Sequence, residues 1–163
     1  MNIEICQTDL FNPDLIALIA QLDAYQEALY PAESNHTESI ASMAQKKTFV
    51  YIATRQGRAL GCAILFQPES TYPEIKRVFV IPDCRGHGIA SMLVTALLEK
   101  SISLNLKYVY LETGIHQPEA VKLYQRLGFE FTSEFGCYQY DPLSFYMVKT
   151  VASCHSVKDK TER

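Results

Sequence analysis

The sequence lacks tryptophan, any apolar run close to 18 residues, and any excess of basic residues over its 163 positions. A membrane-spanning helix needs about 20 mostly apolar residues, so none is predicted. A nucleic-acid-binding domain usually carries a basic patch, whereas this chain has a net charge of -3. The first ten residues contain two acids and no basic region, unlike a secretory signal. We therefore expect a cytoplasmic protein with neither a nucleic-acid nor a membrane partner.

Glycine and proline are also few, at seven residues each, which excludes a collagen-like or low-complexity chain. The five cysteines stand at positions 6, 62, 84, 137 and 154, and no CxxC occurs. An odd number at irregular spacing favours neither a disulfide framework nor a zinc site, so we expect reduced thiols and no metal. Hydrophobic residues make up 48% of the chain and charged residues 20%, which is ordinary globular usage. A folded chain of this length buries about 70% of its unfolded surface, enough for one hydrophobic core.

Hydrophobic periodicity predicts eleven elements within one domain over residues 1–151, followed by a polar tail over residues 152–163. Helices are predicted over residues 13–29, 37–46, 86–103 and 117–127. Strands are predicted over residues 3–5, 48–54, 59–67, 74–81, 107–113, after residue 128, and over 144–151. Strands that run together and then alternate with helices predict an α/β (α+β) fold, with a mixed sheet of six to seven strands and helices on both faces.

The most informative stretch is Arg85-Gly86-His87-Gly88-Ile89-Ala90-Ser91, between a predicted strand and a predicted helix. The first amides of a helix lack internal partners and attract anions, and glycines leave such amides accessible. A Walker loop is excluded because Gly-Lys-Ser/Thr is absent. A dinucleotide fingerprint fits poorly because it needs a glycine where Ser91 stands. An ordinary glycine-rich turn into a helix is the alternative.

This stretch matches R/Q-x-x-G-x-G/A, and with it the chain resembles the Gcn5-related N-acetyltransferase (GNAT) superfamily, in which that loop holds the pyrophosphate of coenzyme A. Residues 117–129 resemble the family segment N-x-x-A-x-x-L-Y-x-x-x-G-F, with Gln117 where Asn is usual. The resemblance covers roughly residues 1–150 and implies a mostly antiparallel GNAT sheet with acetyl-CoA as cosubstrate. The implied coenzyme contacts are Val78, Phe79, Val80, Arg85, Gly86, His87, Gly88, Ile89, Ala90, Ser91, Gln117 and Tyr124.

Four further segments are similar to a bacterial subgroup often labelled indole-acetic-acid acetyltransferase-like. They span residues 29–36, 74–77, 111–114 and 135–142.

The resemblance also implies catalytic roles. Tyr124 matches the tyrosine beside the coenzyme sulfur, where a phenol can protonate the departing thiolate; the alternative is a core aromatic residue at helical spacing. Glu74 matches a catalytic glutamate of some members and is expected to accept the amine's proton, directly or through water. Its alternative is a strand-end carboxylate paired with Lys76 or Lys46.

The backbone around Val78 is expected to bind the coenzyme if this strand separates from its neighbour, because the unpaired edge can then pair with the pantetheine arm. The alternative is an ordinary buried strand.

Tyr30, His36 and Tyr138 are candidates for the acceptor site through loops, although each could be structural. Lys76 and Arg77 interrupt an apolar strand. Because strand neighbours face opposite sides, we predict that these two do not share a pocket. One would meet a carboxylate of the acceptor, and the other would form a surface ion pair. The alternative is that both face acidic side chains such as Glu69 or Glu112.

Together these features predict an acetyl-CoA-dependent N-acetyltransferase that acylates a primary amine of a small molecule by direct attack. The acceptor is expected to carry a carboxylate, and the enzyme to be a monomer or a homodimer. A non-catalytic acyl-CoA-binding module and a protein N-acetyltransferase are the alternatives. An oxidoreductase is disfavoured because the dinucleotide fingerprint is missing.

Overall fold

The computed structural model describes residues 2–68 and 72–151, so the predicted tail lies outside the described residues. Within them, seven strands and four α-helices follow the predicted order. They are β1 (Glu4–Thr8), α1 (Pro13–Leu29), α2 (Ile40–Ala44), β2 (Lys47–Arg55), β3 (Arg58–Gln67), β4 (Glu74–Val80), α3 (Ile89–Ser103), β5 (Tyr108–Gly114), α4 (Pro118–Arg126), β6 (Glu130–Thr132) and β7 (Ser144–Thr150). The main difference in length concerns α2, which has only five residues where a helix over residues 37–46 was predicted. In this part of the chain, no helix is both long and apolar enough to cross a membrane.

Local sequence accounts for the start and end of α1. The side chain of Asn12 accepts hydrogen bonds from the amides of Asp14 and Leu15, and Pro13 occupies the first turn, where its missing N–H costs nothing. Such a cap contributes about 1 kcal/mol. The buried face consists of Leu15, Leu18, Ile19 and Leu22. The helix ends where Tyr30 turns extended ahead of a proline.

Helix α3 begins three residues later than predicted, at Ile89, because Gly88 adopts a left-handed conformation with φ of +76°. This conformation suits glycine, since a β-carbon there would be strained. The buried face of α3 packs on β2, β3 and β4. Its first amides therefore emerge directly from the glycine-rich loop, without a side-chain cap.

The sheet order is β1-β2-β3-β4-β5-β7-β6, and every pair is antiparallel except β4 with β5. The predicted mixed, mostly antiparallel sheet is thus observed. A β-carbon on Gly61 of β3 would face Leu93 of α3, whereas the neighbouring Cys62 lies on the side of Asp23 of α1. Because strand neighbours point to opposite faces, α1 and α3 cover the two faces of the sheet.

The strands β4 and β5 separate soon after they meet. They pair only at Glu74–Tyr110 and Ile75–Leu111. Beyond that point β4 contains an extra residue relative to β3, and Arg77 has φ of +54°. Such a bulge bends its strand and re-aims nearby side chains. The result is a gap at the centre of the sheet, open towards the ends of both parallel strands.

Candidate active site

Two cavities meet at the gap between β4 and β5. The first, called here the cleft, is lined by Tyr30, His36, Glu74, Lys76, Arg77, Glu112 and Tyr138, among others. The second, called here the groove, is lined by Val78–Val80, Arg85, Gly86, Gly88, Ile89, Ala90 and Ser91, among others. Leu22, Val78, Gln117, Ala120 and Tyr124 border both. The structure therefore brings the predicted acceptor residues to one cavity and most of the predicted coenzyme residues to the other.

The glycine-rich loop forms one end of the groove. Gly86 and Gly88 have φ of +81° and +76°, and a β-carbon on either would meet no atom within 4 Å. The space over these glycines is therefore open. It lies beside the first amides of α3, which have no partner within the helix and can bind an anion. Arg85 borders the same end: its Nε donates to the carbonyl of Val80 at 2.9 Å, and its guanidinium lies 5.8 Å from the ring centre of Tyr25.

His87 departs from the predicted coenzyme contacts. Its side chain does not line the groove but borders a separate depression with Arg55 and Arg58. Its Nδ1 lies 3.2 Å from the carbonyl oxygen of Cys84. The loop turns its side chain away because the glycines on either side have positive φ.

The exposed edge of β4 forms a wall of the groove. Phe79 and Val80 pair with Cys62 and Gly61 of β3, but β4 has no strand partner on the β5 side after Ile75 among the described residues. A strand with one edge free can bind an extended chain as an added strand. This geometry fits the arm of coenzyme A at the residues that the sequence indicated.

Tyr124 lies where the groove and the cleft join. It projects from α4, is 7% exposed, and packs edge-to-face on Phe129 with ring centres 5.8 Å apart. Burial, and secondarily the negative charge of Glu112, raise the pKa of Tyr124 above its ordinary value of 10. The phenol therefore keeps its proton at neutral pH and is available as a donor. Tyr124 is both a core aromatic residue and a lining residue of the two cavities.

Glu74 belongs to a buried network in the cleft. Its Oε1 accepts a hydrogen bond from the hydroxyl of Tyr138 at 2.5 Å and lies 3.2 Å from Nζ of Lys76. Lys76 also donates to the oxygen of Tyr138 at 3.1 Å. Burial raises the pKa of Glu74, and the charge of Lys76 only partly offsets this. The alternative for Glu74, a pair with Lys76, is thus present, and the residue also lines the cleft.

The prediction for Lys76 and Arg77 was wrong in two respects. Both side chains line the cleft, because the bulge at Arg77 interrupts the alternation of the strand. Neither forms a surface pair, since they are 9% and 7% exposed. Arg77 Nε lies 3.4 Å from Oδ1 of Asp23, and Nη2 donates to the carbonyl of Glu38 at 2.7 Å. Both cations therefore face acids, as the alternative held, although the buried Arg77 Nε and Asp23 Oδ1 make no hydrogen bond among the described residues.

Tyr30 closes the cleft from the end of α1. Its hydroxyl accepts a hydrogen bond from the amide of His116 at 3.1 Å and donates to Oε1 of Gln117 at 3.3 Å. Its ring stacks on the His116 imidazole, with centres 5.3 Å apart. A β-carbon at Gly114 would overlap the Tyr30 ring, so only glycine at 114 permits this arrangement. Tyr30 thus ties α1 to the turn that leads into α4.

Two acids of the site were missed as functional candidates. Asp141 Oδ2 lies 2.9 Å from Nε2 of His36 and holds that ring against Tyr138, with ring centres 5.6 Å apart. The amide of Leu143 is the main cause of the lowered pKa of Asp141. The sequence segment over residues 135–142 indicated this region, but not the pairing, which spans 105 positions.

Glu112 is the second acid. Its Oε1 accepts a hydrogen bond from the Ser144 hydroxyl at 2.8 Å, and burial raises its pKa. In the β4–β5 register, Glu112 is the residue that would face Lys76 if pairing continued one step further. Because strand residues alternate, Glu112 lies on the same face of β5 as Tyr110, and this could be inferred from the sequence. That this face borders the cleft follows only from the register of β5 against β4.

The described residues contain no group of three or more His, Cys, Asp or Glu side chains that could hold a metal ion. Cys6, Cys62, Cys84 and Cys137 are free thiols.

Comparison with known proteins is consistent with this geometry. The model of the Acetyltransferase (GNAT) family matches residues 14–129. An IAA acetyltransferase of Azospirillum brasilense is 36% identical over 149 residues, which cover 91% of this chain and 97% of the relative.

Solved structures show the same fold. A Klebsiella pneumoniae protein described as a candidate acyl-CoA N-acyltransferase is similar with a TM-score of 0.78 and 33% identity, over 92% of this chain and 98% of that chain. A GNAT family acetyltransferase from Elizabethkingia anophelis with acetyl-CoA bound is similar in fold, with a TM-score of 0.68 and 18% identity, over 91% and 98% of the two chains.

Proposed function

The chain belongs to the GNAT family of acetyltransferases and is an N-acetyltransferase, and we propose that it uses acetyl-CoA to acetylate a primary amine of a small molecule by direct attack. The observation that carries this proposal is the junction of the cleft and the groove at Tyr124. An amine held in the cleft would meet a thioester presented from the groove at that residue. Direct transfer then needs no covalent attachment to the enzyme.

The groove residues would hold the coenzyme. Backbone amides at Gly86, Gly88 and the start of α3 would bind the pyrophosphate, and Arg85 would add positive charge. The free edge at Val78 would pair with the pantetheine arm, with Gln117 beside it. The coenzyme supplies a thioester carbonyl as the electrophile.

The cleft residues would perform the proton transfers. An alkylammonium ion has a pKa near 10, so the amine must lose a proton before its nitrogen attacks the carbonyl carbon. We assign that proton to Glu74, directly or through water. As the C–N bond forms and the C–S bond breaks, the sulfur leaves with the electron pair and takes the proton of Tyr124. The nitrogen, positively charged after its attack, loses its second proton to solvent, and the Tyr124 phenolate regains a proton from solvent. Each transfer is of the kind that contributes about 10²- to 10⁴-fold to a rate.

The size of the cleft favours a small acceptor over a protein. It encloses about 90 Å³ beside a groove of about 570 Å³. Tyr30, His36 and Tyr138 form its walls. A site with such enclosing walls suits a compact ligand held by a few polar groups.

The name of the Azospirillum relative specifies IAA as its acceptor. We do not extend this acceptor to the present chain. A carboxylate in the cleft would need a cation, and Lys76 and Arg77 are already paired with Glu74 and Asp23. A cytoplasmic location, where thiols stay reduced, is part of the proposal and agrees with the free cysteines.

The test is the release of free coenzyme A thiol from acetyl-CoA with a panel of amines, amino acids, aminoglycosides and peptides. We expect turnover with small amines, identified by mass spectrometry of the acetylated product. Faster turnover of peptides than of every small amine would show a protein acetyltransferase instead. Thermal stabilisation by acetyl-CoA without turnover of any acceptor would show a binding module.

A further inference from the structure

The charged side chains of the cleft are paired with one exception. Lys76 lies against Glu74, Arg77 against Asp23, and His36 against Asp141. Glu112 also lines the cleft, but among residues 2–68 and 72–151 no Lys, Arg or His nitrogen lies within 4.0 Å of its carboxylate. Its hydrogen bond comes from Ser144, which is neutral.

This arrangement leaves a partly buried carboxylate without an ion-pair partner of its own. Burial without a charged partner is costly for an ionised group, and it raises the pKa of Glu112. The cations whose charges act on it, His36 and Lys76, are already paired with Asp141 and Glu74. A positively charged ligand group would therefore gain a partner here at little desolvation cost to the carboxylate.

The location of Glu112 connects it to the reaction. It follows Leu111, the last residue of β5 that pairs with β4, at the point where β4 departs. Its charge also reaches Tyr124, whose pKa it helps to raise. An acceptor extending from Tyr124 into the cleft would thus pass beside Glu112.

The group that pairs with Glu112 differs from the amine that reacts. The reacting nitrogen must be neutral when it attacks, so it cannot keep an ion pair with a carboxylate through the reaction. Glu74 is the acid already assigned to that nitrogen. A lasting partner of Glu112 must be a second cationic group on the same acceptor.

We propose that Glu112 is a specificity-determining residue that binds a second positively charged group of the acceptor, so that the preferred acceptors are diamines or polyamines without a carboxylate. This inference rests on the proposed function. It replaces the carboxylate-bearing acceptor that Lys76 and Arg77 suggested from sequence.

The test uses three acceptors of matched length: 1,4-diaminobutane, butylamine and 4-aminobutanoate. A charged hydrogen bond contributes about 1.5–3 kcal/mol, so kcat/KM for the diamine should exceed that for butylamine by about 10- to 150-fold. This margin is beyond the statistical advantage of two amines. The aminobutanoate should be the poorest of the three. Equal kcat/KM for diamine and butylamine, or a preference for aminobutanoate, would overturn the proposal.

Variants of Glu112 separate its charge from its packing. Glu112→Gln should lower the ratio of kcat/KM for the diamine to kcat/KM for butylamine until only the statistical advantage of two amines remains. Glu112→Asp retains the charge and should retain part of the preference. Glu27→Gln, which changes an exposed acid on α1, is the control and should change neither value. Retention of the full diamine preference by Glu112→Gln would refute the assignment.

The proposed function and this inference fail in different ways. If no amine is acetylated while acetyl-CoA still stabilises the protein, the proposed function is wrong. Calorimetric binding of 1,4-diaminobutane in the presence of coenzyme A then decides the role of Glu112. Binding that is lost in Glu112→Gln but kept in Glu27→Gln supports it, and equal binding in all three proteins overturns it. Melting temperatures of the variants establish that each is folded.

Discussion

The aromatic ring of Tyr30 occupies the space that a β-carbon at Gly114 would fill. This contact joins the end of α1 to the end of β5 and leaves the Tyr30 hydroxyl between the His116 amide and the Gln117 side chain. A glycine in the last position of a strand therefore shapes the cleft from a distance of 84 positions along the chain.

Gly114→Ala should displace Tyr30, because the added methyl group and the ring cannot occupy the same volume. Overpacking of this kind costs about 1–3 kcal/mol. We expect a lower melting temperature and a higher KM for the amine, measured by calorimetry and by steady-state kinetics. In a Tyr30→Ala background the same change should cost much less, and a double-mutant cycle measures the difference. Additive costs would show that the two residues do not interact.

Gly88→Val should abolish most of the stabilisation by acetyl-CoA. A ligand at 100 times its Kd stabilises a protein by about 2.7 kcal/mol. The side chain would enter the open space over the loop, and it would also be strained at φ of +76°. Gly57→Val is a matched control, because Gly57 has φ of +77° and equally open surroundings in a hairpin outside the groove.

Differential scanning fluorimetry with and without acetyl-CoA compares these two variants. We expect both to lose stability from backbone strain, and only Gly57→Val to keep the full rise in melting temperature. An equal rise in melting temperature with acetyl-CoA in the two variants would show that the loop does not bind the coenzyme.

Tyr124→Phe should lower kcat by about 10²- to 10⁴-fold and leave acetyl-CoA affinity nearly unchanged, because it deletes a proton donor but keeps the ring. The packing on Phe129 survives in the variant. Tyr140→Phe, at a residue that is 77% exposed, is the control and should retain activity. Unchanged turnover in Tyr124→Phe, with chemistry shown to limit the rate, would leave Tyr124 as a packing residue.

The pH profile tests Glu74 as the proton acceptor. Burial raises the pKa of Glu74, so activity should fall on the acid side at a pH above the ordinary carboxyl value of 4.5. Glu74 accepts a proton only when ionised, and Lys76 lowers its pKa. Removing that charge in Lys76→Met should therefore move the acid limb of kcat/KM to higher pH.

Glu74→Gln should abolish that limb and lower activity near neutral pH, with partial recovery at high pH, where the free amine is abundant. Rates measured over a wide pH range with one amine give both comparisons. An acid limb at the same pH in wild type and in Lys76→Met would assign it to another group.

Much of this fold could be predicted from the sequence, because its signals are local. Asn12 and Pro13 start α1, the glycines over residues 86–88 turn the chain into α3, and the periodicity of apolar residues marks each element. The element order and the family resemblance were confirmed by the structure and the comparisons. The predicted acceptor residues all border the cleft, and the predicted coenzyme residues other than His87 border the groove, while their roles stay predictions.

Only the tertiary structure decided how the charges of the cleft are arranged. Alternation along a strand predicted that Lys76 and Arg77 would face apart, but the bulge at Arg77 depends on the register between β3 and β4. The pairing of Arg77 with Asp23 spans 54 positions, and the place of Glu112 in the cleft follows from where β4 and β5 part. These relationships arise when distant segments are brought together by packing, and no local pattern of residue types encodes them. The sequence by itself therefore determined the family and its class of reaction, while the separation of two strands determined which carboxylate of the cleft lacks an ion-pair partner.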